Sequence, residues 1–287
     1  MVAANNDLIY DVGLFDGSDT TYYLHRGYTV VGIDANPIMI ENAKNKFREQ
    51  VEQQRLLLIN AGIAETEQTT ATFWISDRPE WSSFNKEVAS RDGTKHVPFP
   101  VRIVPFAEIL KEYGIPHYLK VDIEGNDRFC VNALRLCESI PLYISVESEC
   151  VGDDAVAASD EEATAMLDAL HGIGYRRFKL VNQYNWSPAR PTILSSYRVR
   201  LIEYLASGRL MAGSLSKIAG KFTDASTIMR RARFNFPAGA SGPWGEEIPG
   251  PWMNLHQARS SYLRERRRHF SKGRQAYSFW YDWHATV

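Results

Sequence analysis

The sequence lacks a long apolar run and has almost no net charge. Its 33 lysines and arginines nearly balance 34 aspartates and glutamates, which leaves a formal net charge of −1. No stretch approaches the roughly 18 apolar residues of a membrane-spanning helix. The first residues also lack the basic segment of a secretory signal. We therefore expect a soluble, cytoplasmic protein without a membrane or nucleic-acid partner.

Cysteine is also scarce. The three cysteines, Cys130, Cys137 and Cys150, do not have the spacing of a zinc site or of a disulfide framework. We interpret them as small buried residues in a reducing compartment.

Apolar runs and helical patterns alternate along most of the chain. The pattern predicts main strands over 8–12, 29–33, 56–59, 118–123, 142–146 and 175–181, with helices between them. Weaker strands are predicted over 70–75 and 97–104, on either side of a polar loop, 76–95. This alternation is typical of an α/β fold, with a mostly parallel Rossmann-like sheet and helices on both faces.

The composition changes after about residue 204, where glycine, serine and aromatic residues become frequent. We predict an α/β domain over residues 1–205 and a C-terminal extension over 206–287 that packs on it. A basic helix is expected over 257–270 and an aromatic tail over 279–284. The sequence leaves open whether the extension is a lid, a substrate-binding element or a dimer interface.

A glycine-containing turn follows the first predicted strand. It contains Asp11, Gly13, Asp16 and Gly17. A dinucleotide site would place a diphosphate on bare backbone here. The two carboxylates disfavour a diphosphate, whereas a ligand with a positive centre, such as S-adenosylmethionine, suits them better.

Polar residues also close the second and third predicted strands. Asp34 follows the second strand, where it would bind ribose hydroxyls. The alternative for Asp34 is an N-cap of the helix that begins at Pro37. Asn60, Ala61 and Gly62 follow the third strand and would flank an adenine.

Three carboxylates crowd the end of the strand predicted over 118–123. These residues are Asp122, Glu124 and Asp127. They form either a solvated turn in which Asp127 caps the next helix, or a cluster that faces the cofactor and the methyl acceptor. Carboxylates also suit Mg²⁺, but no spacing here demands a metal, and we predict none.

These motifs resemble those of the FkbM-type methyltransferases, which use S-adenosylmethionine. The resemblance rests on Asp11-Val12-Gly13 with Gly17, on the run from Gly32 to Pro37, on Ser82-Ser83, and above all on the run from Leu119 to Gly125. It covers roughly residues 8–175. The segments 241–247 and 280–284 resemble a subset of that family. Asp16 departs from it, because the family usually has asparagine before its second glycine.

The resemblance implies a class I methyltransferase fold and O-methylation of hydroxyls on sugars, glycans or natural products. The cofactor-binding residues expected on these motifs are Asp11, Gly13, Phe15, Asp16, Gly17, Asp34, Ala35, Asn36, Asn60, Ala61, Gly62, Ser83 and Asp122.

A hydroxyl acceptor must lose a proton, which calls for a general base. The carboxylate candidates are Asp122, Glu124, Asp127 and Glu147. His284 is a further candidate, with partial burial among aromatic residues as its alternative interpretation. His171 lies close to a predicted helix C-terminus, where an interaction with the helix dipole would explain it.

A basic cluster lies in the predicted C-terminal helix, at Arg264, Arg266, Arg267 and Arg268. We interpret it as a solvated helix face, with recognition of an anionic substrate group as the alternative. Two other functions remain open at this point. One is a nicotinamide-dependent oxidoreductase, and the other is a catalytically silent binding module.

Overall fold

The described chain is a mixture of strands and helices. A computed structural model of the chain describes residues 4–66, 68–123, 125–148, 158–208, 214–237, 239–275 and 278–287. The chain packs as two units, Met1–Gly152 and Asp153–Val287. This packing boundary lies before the predicted domain boundary at residue 205, which stays a prediction.

The described part of the first unit contains eight strands and six α-helices. The strands are β1 (Ala4–Val12), β2 (Thr29–Asp34), β3 (Leu56–Asn60), β4 (Gly62–Ile63), β5 (Thr70–Ser76), β6 (His96–Val104), β7 (Ile115–Val121) and β8 (Tyr143–Glu147). The helices are α1 (Ser18–His25), α2 (Pro37–Lys46), α3 (Arg48–Glu52), α4 (Lys86–Ala89), α5 (Phe106–Tyr113) and α6 (Asp127–Ala133).

Five strands of this unit pair in the order β3-β2-β1-β7-β8, and every neighbouring pair is parallel. Their central residues, such as Ile9, Val31 and Leu119, are buried. Burial on both faces explains why the sequence shows continuous apolar runs here rather than alternation. The strand order reverses between β1 and β7, and open α/β sheets bind ligands beside such a reversal.

A smaller sheet of the same unit has the order β4-β6-β5. Strands β4 and β6 are parallel, whereas β5 and β6 are antiparallel. Phe73, Val101 and Ile103 form a small core there, against which Phe84 packs.

The second unit contains an antiparallel strand pair and six α-helices among its described residues. The strands are β9 (Arg177–Asn182) and β10 (Tyr281–Thr286). The helices are α7 (Asp160–Ala163), α8 (Ala165–Ile173), α9 (Ile193–Ala206), α10 (Ser214–Gly220), α11 (Asp224–Ala232) and α12 (Leu255–Phe270). Tyr262 of α12 packs edge-on to Phe279 and close to the ring of Trp283.

The structure confirms the predicted α/β class with its mostly parallel strands. Two local predictions were wrong. The segment 279–284 was predicted as an aromatic tail, but most of it belongs to β10, since Trp283 and Ala285 are buried as β10 pairs with β9. The segment 76–95 was predicted as a loop, but it contains α4, which Asn85 caps through its side chain.

Two further observations bear on the sequence predictions. No helix in the described ranges is long and apolar enough to cross a membrane. Cys130 and Cys137 are free thiols, and Cys150 lies outside the described residues.

Candidate functional site

The reversal of strand order brings the ends of β1 and β7 together. The amide of Asp122, just after β7, donates to the carbonyl of Val12 at 2.9 Å. Gly13 follows β1, and a β-carbon built there would lie 1.8 Å from the carbonyl oxygen of Asp122. Only glycine fits this contact, so the predicted turn lies directly at the switch point of the sheet.

The turn after β1 uses the left-handed backbone region three times. Gly13, Phe15 and Gly17 have φ values of 83°, 51° and 71°. The amides of Gly13 and Leu14 both donate to the carbonyl of Ile33, at 2.9 and 3.1 Å, which fixes the turn against β2. Gly17 is also required sterically, because a β-carbon there would lie 2.6 Å from the Phe47 ring. The result is a shallow cradle of bare backbone with the side chain of Phe15 exposed.

Asp34 at the end of β2 is the carboxylate that faces this turn. Its Oδ2 accepts the amide of Phe15 at 2.8 Å, and its Oδ1 accepts the amide of Asn36 at 2.8 Å. Each oxygen keeps a further lone pair, so both can accept a hydroxyl as well. Burial raises the pKa of Asp34 to about 6 against the opposing effect of these two amides. The N-cap of α2 is Asn36, whose side chain accepts from Ile38, so the alternative interpretation of Asp34 as the cap was wrong.

Residues at the end of β3 stabilise the loop that contains Asp34. The side-chain amide of Asn60 donates to the carbonyls of Asp34 and Ala35, at 2.9 and 3.1 Å. The amide of Ala61 also donates to Asp34, at 3.1 Å. Gly62 leaves room for Phe84, whose ring would lie 2.2 Å from a β-carbon there.

Asp16 and Ser83 stabilise their own turns. The carboxylate of Asp16 accepts the amide and the hydroxyl of Ser18, both at 2.8 Å. Ser83 is buried, its backbone pairs with Trp74 of β5, and its Oγ accepts the amide of Asn85 at 3.0 Å. Both residues thus shape the loops around the cradle.

A buried lysine, Lys120, lies below the cradle. It belongs to a motif noted in the sequence, but no role was predicted for it. Lys120 of β7 donates to the carbonyl of Gly13 at 2.8 Å. Its Nζ lies 3.1 Å from Asp11, 3.8 Å from Asp19 and 3.9 Å from Asp122. Burial by itself lowers the pKa of Lys120, but these carboxylates raise it above its ordinary value, so the ammonium stays charged. The sequence signal was a lysine inside an apolar strand, where a charge needs a partner.

Two acids of this cluster, Asp11 and Asp122, differ in their exposure to solvent. Asp11 is fully buried and also accepts the hydroxyl of Thr20 at 2.6 Å. The side chain of Asp122 is 32% exposed. Asp122 therefore presents a carboxylate at the sheet edge, whereas Asp11 holds Lys120 and α1 from below.

The remaining carboxylates of the predicted cluster do not share one role. Asp127 is buried and accepts the amides of Gly125 and Ile123, at 3.2 and 3.4 Å, which closes the loop before α6. Glu124 lies outside the described residues. Glu147 is the last residue of β8 and lies at the same edge as Asp122, because β7 and β8 are parallel.

His284 lies in the second unit, in β10 opposite Lys179 of β9. It is 2% exposed, and neither ring nitrogen has a hydrogen-bond partner among the described residues. Burial, together with the nearby Lys179 charge, lowers the pKa of His284 to about 3. Its imidazole is therefore neutral near pH 7. His171 lies in the last turn of α8, as predicted.

The described residues contain no group of three or more histidine, cysteine, aspartate or glutamate side chains that could hold a metal ion. The acids around Lys120 are held by an ammonium and by hydrogen bonds instead.

The chain was compared with protein-family models and with curated proteins. A family model described as the methyltransferase FkbM domain matches residues 11–177, more than half of the chain. No curated protein matches the chain.

Solved structures give weak likenesses. A protein provisionally assigned as an rRNA methylase from Clostridium thermocellum is 16% identical with a TM-score of 0.33, over 63% of this chain and 81% of that one. Phosphoethanolamine N-methyltransferase 2 from Haemonchus contortus, solved with S-adenosyl-L-methionine, is 8% identical with a TM-score of 0.34, over 99% of this chain and 49% of that one. The match over residues 11–177 spans the cradle, Asp34 and the β7 motif, and the chain belongs to the FkbM methyltransferase domain family.

Proposed function

We propose that the protein is an S-adenosylmethionine-dependent O-methyltransferase that acts on a hydroxyl of a sugar, glycan or natural product. The observation that carries the cofactor is Asp34, whose two oxygens each accept one backbone amide beside the glycine turn. A ribose has two neighbouring hydroxyls, and each of these oxygens can accept one of them. The family match supports methyl transfer, and the resemblance noted from the sequence supports an oxygen acceptor.

The charge around the cradle favours this cofactor over a dinucleotide. Three carboxylates surround the single ammonium of Lys120, so the cluster is formally anionic. A diphosphate placed beside it would meet like charge, whereas a ligand with a sulfonium and an ammonium would be attracted. This favours a methyltransferase over a nicotinamide-dependent oxidoreductase.

S-adenosylmethionine, when bound, supplies an activated methyl group. The chain must then hold the acceptor in line and accept its proton. We assign the proton-accepting role to Asp122, because its carboxylate is partly exposed at the end of β7. Asp127 is less suited, since its oxygens already accept two backbone amides. Glu147, Glu124 and His284 remain alternative bases.

Isothermal titration with S-adenosylhomocysteine and with NADH tests the cofactor. We expect saturable binding of S-adenosylhomocysteine only, and loss of that binding in Asp34→Ala. Glu41→Ala is the control, because Glu41 is an exposed acid of the neighbouring helix α2 whose carboxylate pairs with Lys44 at 3.5 Å. A wild-type protein that binds NADH and not S-adenosylhomocysteine would overturn the assignment.

A second experiment tests the reaction. The purified protein is incubated with methyl-labelled S-adenosylmethionine and a panel of glycosides, nucleotide sugars and phenolic natural products. We expect label in an ether-linked methyl group, and a fall in turnover of about 10²-fold in Asp122→Asn. Label on nitrogen or carbon would exclude O-methylation. Cofactor binding without transfer to any member of the panel would favour the silent binding module.

A further inference from the structure

A polar cleft is lined by residues of the second unit. It has a volume of about 280 Å³. The end of β9, helix α9, the C-terminal part of α12 and Tyr281 of β10 contribute its lining. Ligand pockets typically measure about 300–1,000 Å³, so this cleft suits a small ligand rather than a polymer.

The lining has more cations than anions. Five basic side chains line the cleft, namely Arg190, Arg200, Arg268, Lys272 and Arg274, against the two carboxylates Glu203 and Glu265. The excess is unusual for this chain, whose formal net charge is −1. A cleft that concentrates one sign of charge attracts a ligand of the opposite sign.

Glu265 orders two of these arginines. Arg200 donates to both of its oxygens, at 2.8 and 3.1 Å, and Arg268 lies 3.7 Å from it. Glu265 is 9% exposed, so this carboxylate is a built part of the cleft and not a loose surface group. Glu203 also lines the cleft and interacts with Arg200, so these two arginines and two carboxylates are formally neutral together and are held in place.

Arg190 is fixed in a similar way. It is buried, and its Nη2 donates to both oxygens of Asp224, at 2.8 and 2.9 Å. By contrast, Lys272 and Arg274 are exposed at the cleft and have no ion pair within the described ranges. Lys272 and Arg274 are therefore the cations of the lining that remain available to an anionic ligand.

We propose that this cleft is a binding site for a small phosphate ester. Guanidinium groups bind phosphate oxygens through paired hydrogen bonds, and a lysine adds a point charge. Because Asp224 pairs with Arg190, the excess charge of the lining rests on Lys272 and Arg274. A phosphate monoester carries about 1.5 to 2 negative charges near pH 7 and so matches two excess cations. Of the basic cluster noted in the sequence, only Arg268 lines the cleft. Arg266 is buried and donates to the carbonyl of Ala158 at 2.9 Å, and Arg267 pairs with Asp160 at 2.7 Å.

The test is isothermal titration of the full chain at 150 mM salt with inorganic phosphate, glucose 1-phosphate, UDP and uncharged glucose. We expect saturable binding of at least one ester, weaker binding of inorganic phosphate, and none of glucose. The double variant Lys272→Ala/Arg274→Ala should weaken ester binding at least tenfold. The matched control, Lys217→Ala/Lys221→Ala, removes two exposed cations of the same unit that do not line the cleft and should change binding less than twofold.

The variant Glu203→Gln tests whether the ligand of the cleft is an anion. It removes a negative charge from the lining and keeps an acceptor for Asn185, which donates to Glu203 at 3.2 Å. Ester binding should become several-fold tighter. Absence of saturable ester binding, equal losses in the two double variants, or weaker binding in Glu203→Gln would each overturn the proposal. Titration of S-adenosylhomocysteine into the same variants separates this result from the proposed methyl transfer, because it reports on residues of the other unit.

Discussion

The carbonyl oxygen of Asp122 lies so close to Gly13 that a β-carbon at position 13 would be 1.8 Å away. This contact joins the ends of β1 and β7 and leaves no room for any side chain. The backbone of Gly13 is thereby presented bare at the edge of the sheet, where the cofactor is proposed to bind. A substitution at this position should disturb both the fold and the cradle.

Gly13→Ala should lower the free energy of unfolding and weaken S-adenosylhomocysteine binding at least tenfold. Two effects add up, since the residue has a φ of 83° and meets the Asp122 backbone. The control is Gly27→Ala, where φ is 92° but nothing lies within 4 Å. It isolates the backbone strain, which costs about 1–2 kcal/mol. Urea unfolding and calorimetric titration would measure both quantities, and equal losses in the two variants would contradict the steric argument.

Lys120→Met should lower the free energy of unfolding by about 3–5 kcal/mol, because it leaves buried carboxylates without their cation. Adding Asp11→Asn should recover part of the loss, since one of those charges is then removed. The control is Lys44→Met, whose lysine forms an exposed pair with Glu41 at 3.5 Å and should contribute no more than about 1 kcal/mol. A full double-mutant cycle measures the coupling between Lys120 and Asp11. Additive losses would show that the two do not interact.

S-adenosylhomocysteine binding should depend on pH through Asp34. The ionised carboxylate is the better acceptor for ribose hydroxyls, and burial raises its pKa to about 6. Affinity should therefore rise between pH 5 and 7 and level off above that, with binding about tenfold weaker one unit below the pKa. Asp34→Asn should bind weakly with a flat profile, whereas Glu41→Gln, at an exposed acid of α2, should keep the wild-type profile. A flat wild-type profile over this range would remove Asp34 from the binding site.

The raised pKa of Asp34 also affects the stability of the fold, and here the effect of rising pH is unfavourable. The folded state holds the Asp34 proton more tightly than the unfolded chain does, whose carboxyl pKa is near 3.8. This contribution to stability is present below pH 3.8 and is lost as the pH rises through about 6. In urea unfolding of the ligand-free protein, the contribution of Asp34 to the free energy of unfolding should therefore fall over the pH range in which the affinity for S-adenosylhomocysteine rises.

His284 should destabilise the protein in acid. Its folded pKa is lowered from 6.5 to about 3, so the unfolded chain takes up a proton that the folded chain does not. Stability from this residue is present above pH 6.5 and falls, by up to about 1.4 kcal/mol per pH unit, as the pH drops toward 3. His284→Leu should remove this dependence. The exposed His25 provides the control substitution, His25→Leu. Denaturant unfolding at several pH values, with NMR of the imidazole, measures the effect, and an imidazole that titrates near pH 6 would contradict it.

The cradle could be predicted from the sequence because its key residues follow from local turn chemistry. Gly13, Gly17 and Asp34 each follow from a short segment, in which an apolar strand ends and either a turn or a carboxylate must come next. That Asn60 flanks an adenine stays a prediction, and what the sequence did not indicate is that its side chain donates to the carbonyls of Asp34 and Ala35. That contact depends on the pairing of β2 with β3, which no single segment specifies.

The partners of Lys120 in the core could not be predicted from the sequence either. The sequence displayed a lysine in an apolar strand together with several nearby acids, but it could not say which acids reach it. Asp11 and Asp19 come from β1 and α1, far from Lys120 along the chain, and only the β1–β7 register brings them within 4 Å. The charge of the cradle is therefore a property of the sheet and not of the motif.

The sequence by itself determined the α/β class, the family, the position of the glycine turn and the acid after β2, because periodicity and turn chemistry are local. The tertiary structure decided which side chains meet. It made the Asp127 carboxylate an acceptor of backbone amides and buried His284 in a strand that the sequence did not predict. It also brought basic residues of α9, of α12 and of the segments after β9 and α12 together around one cleft. These outcomes depend on strand register and on packing between distant segments, where burial sets the cost of every unpaired charge.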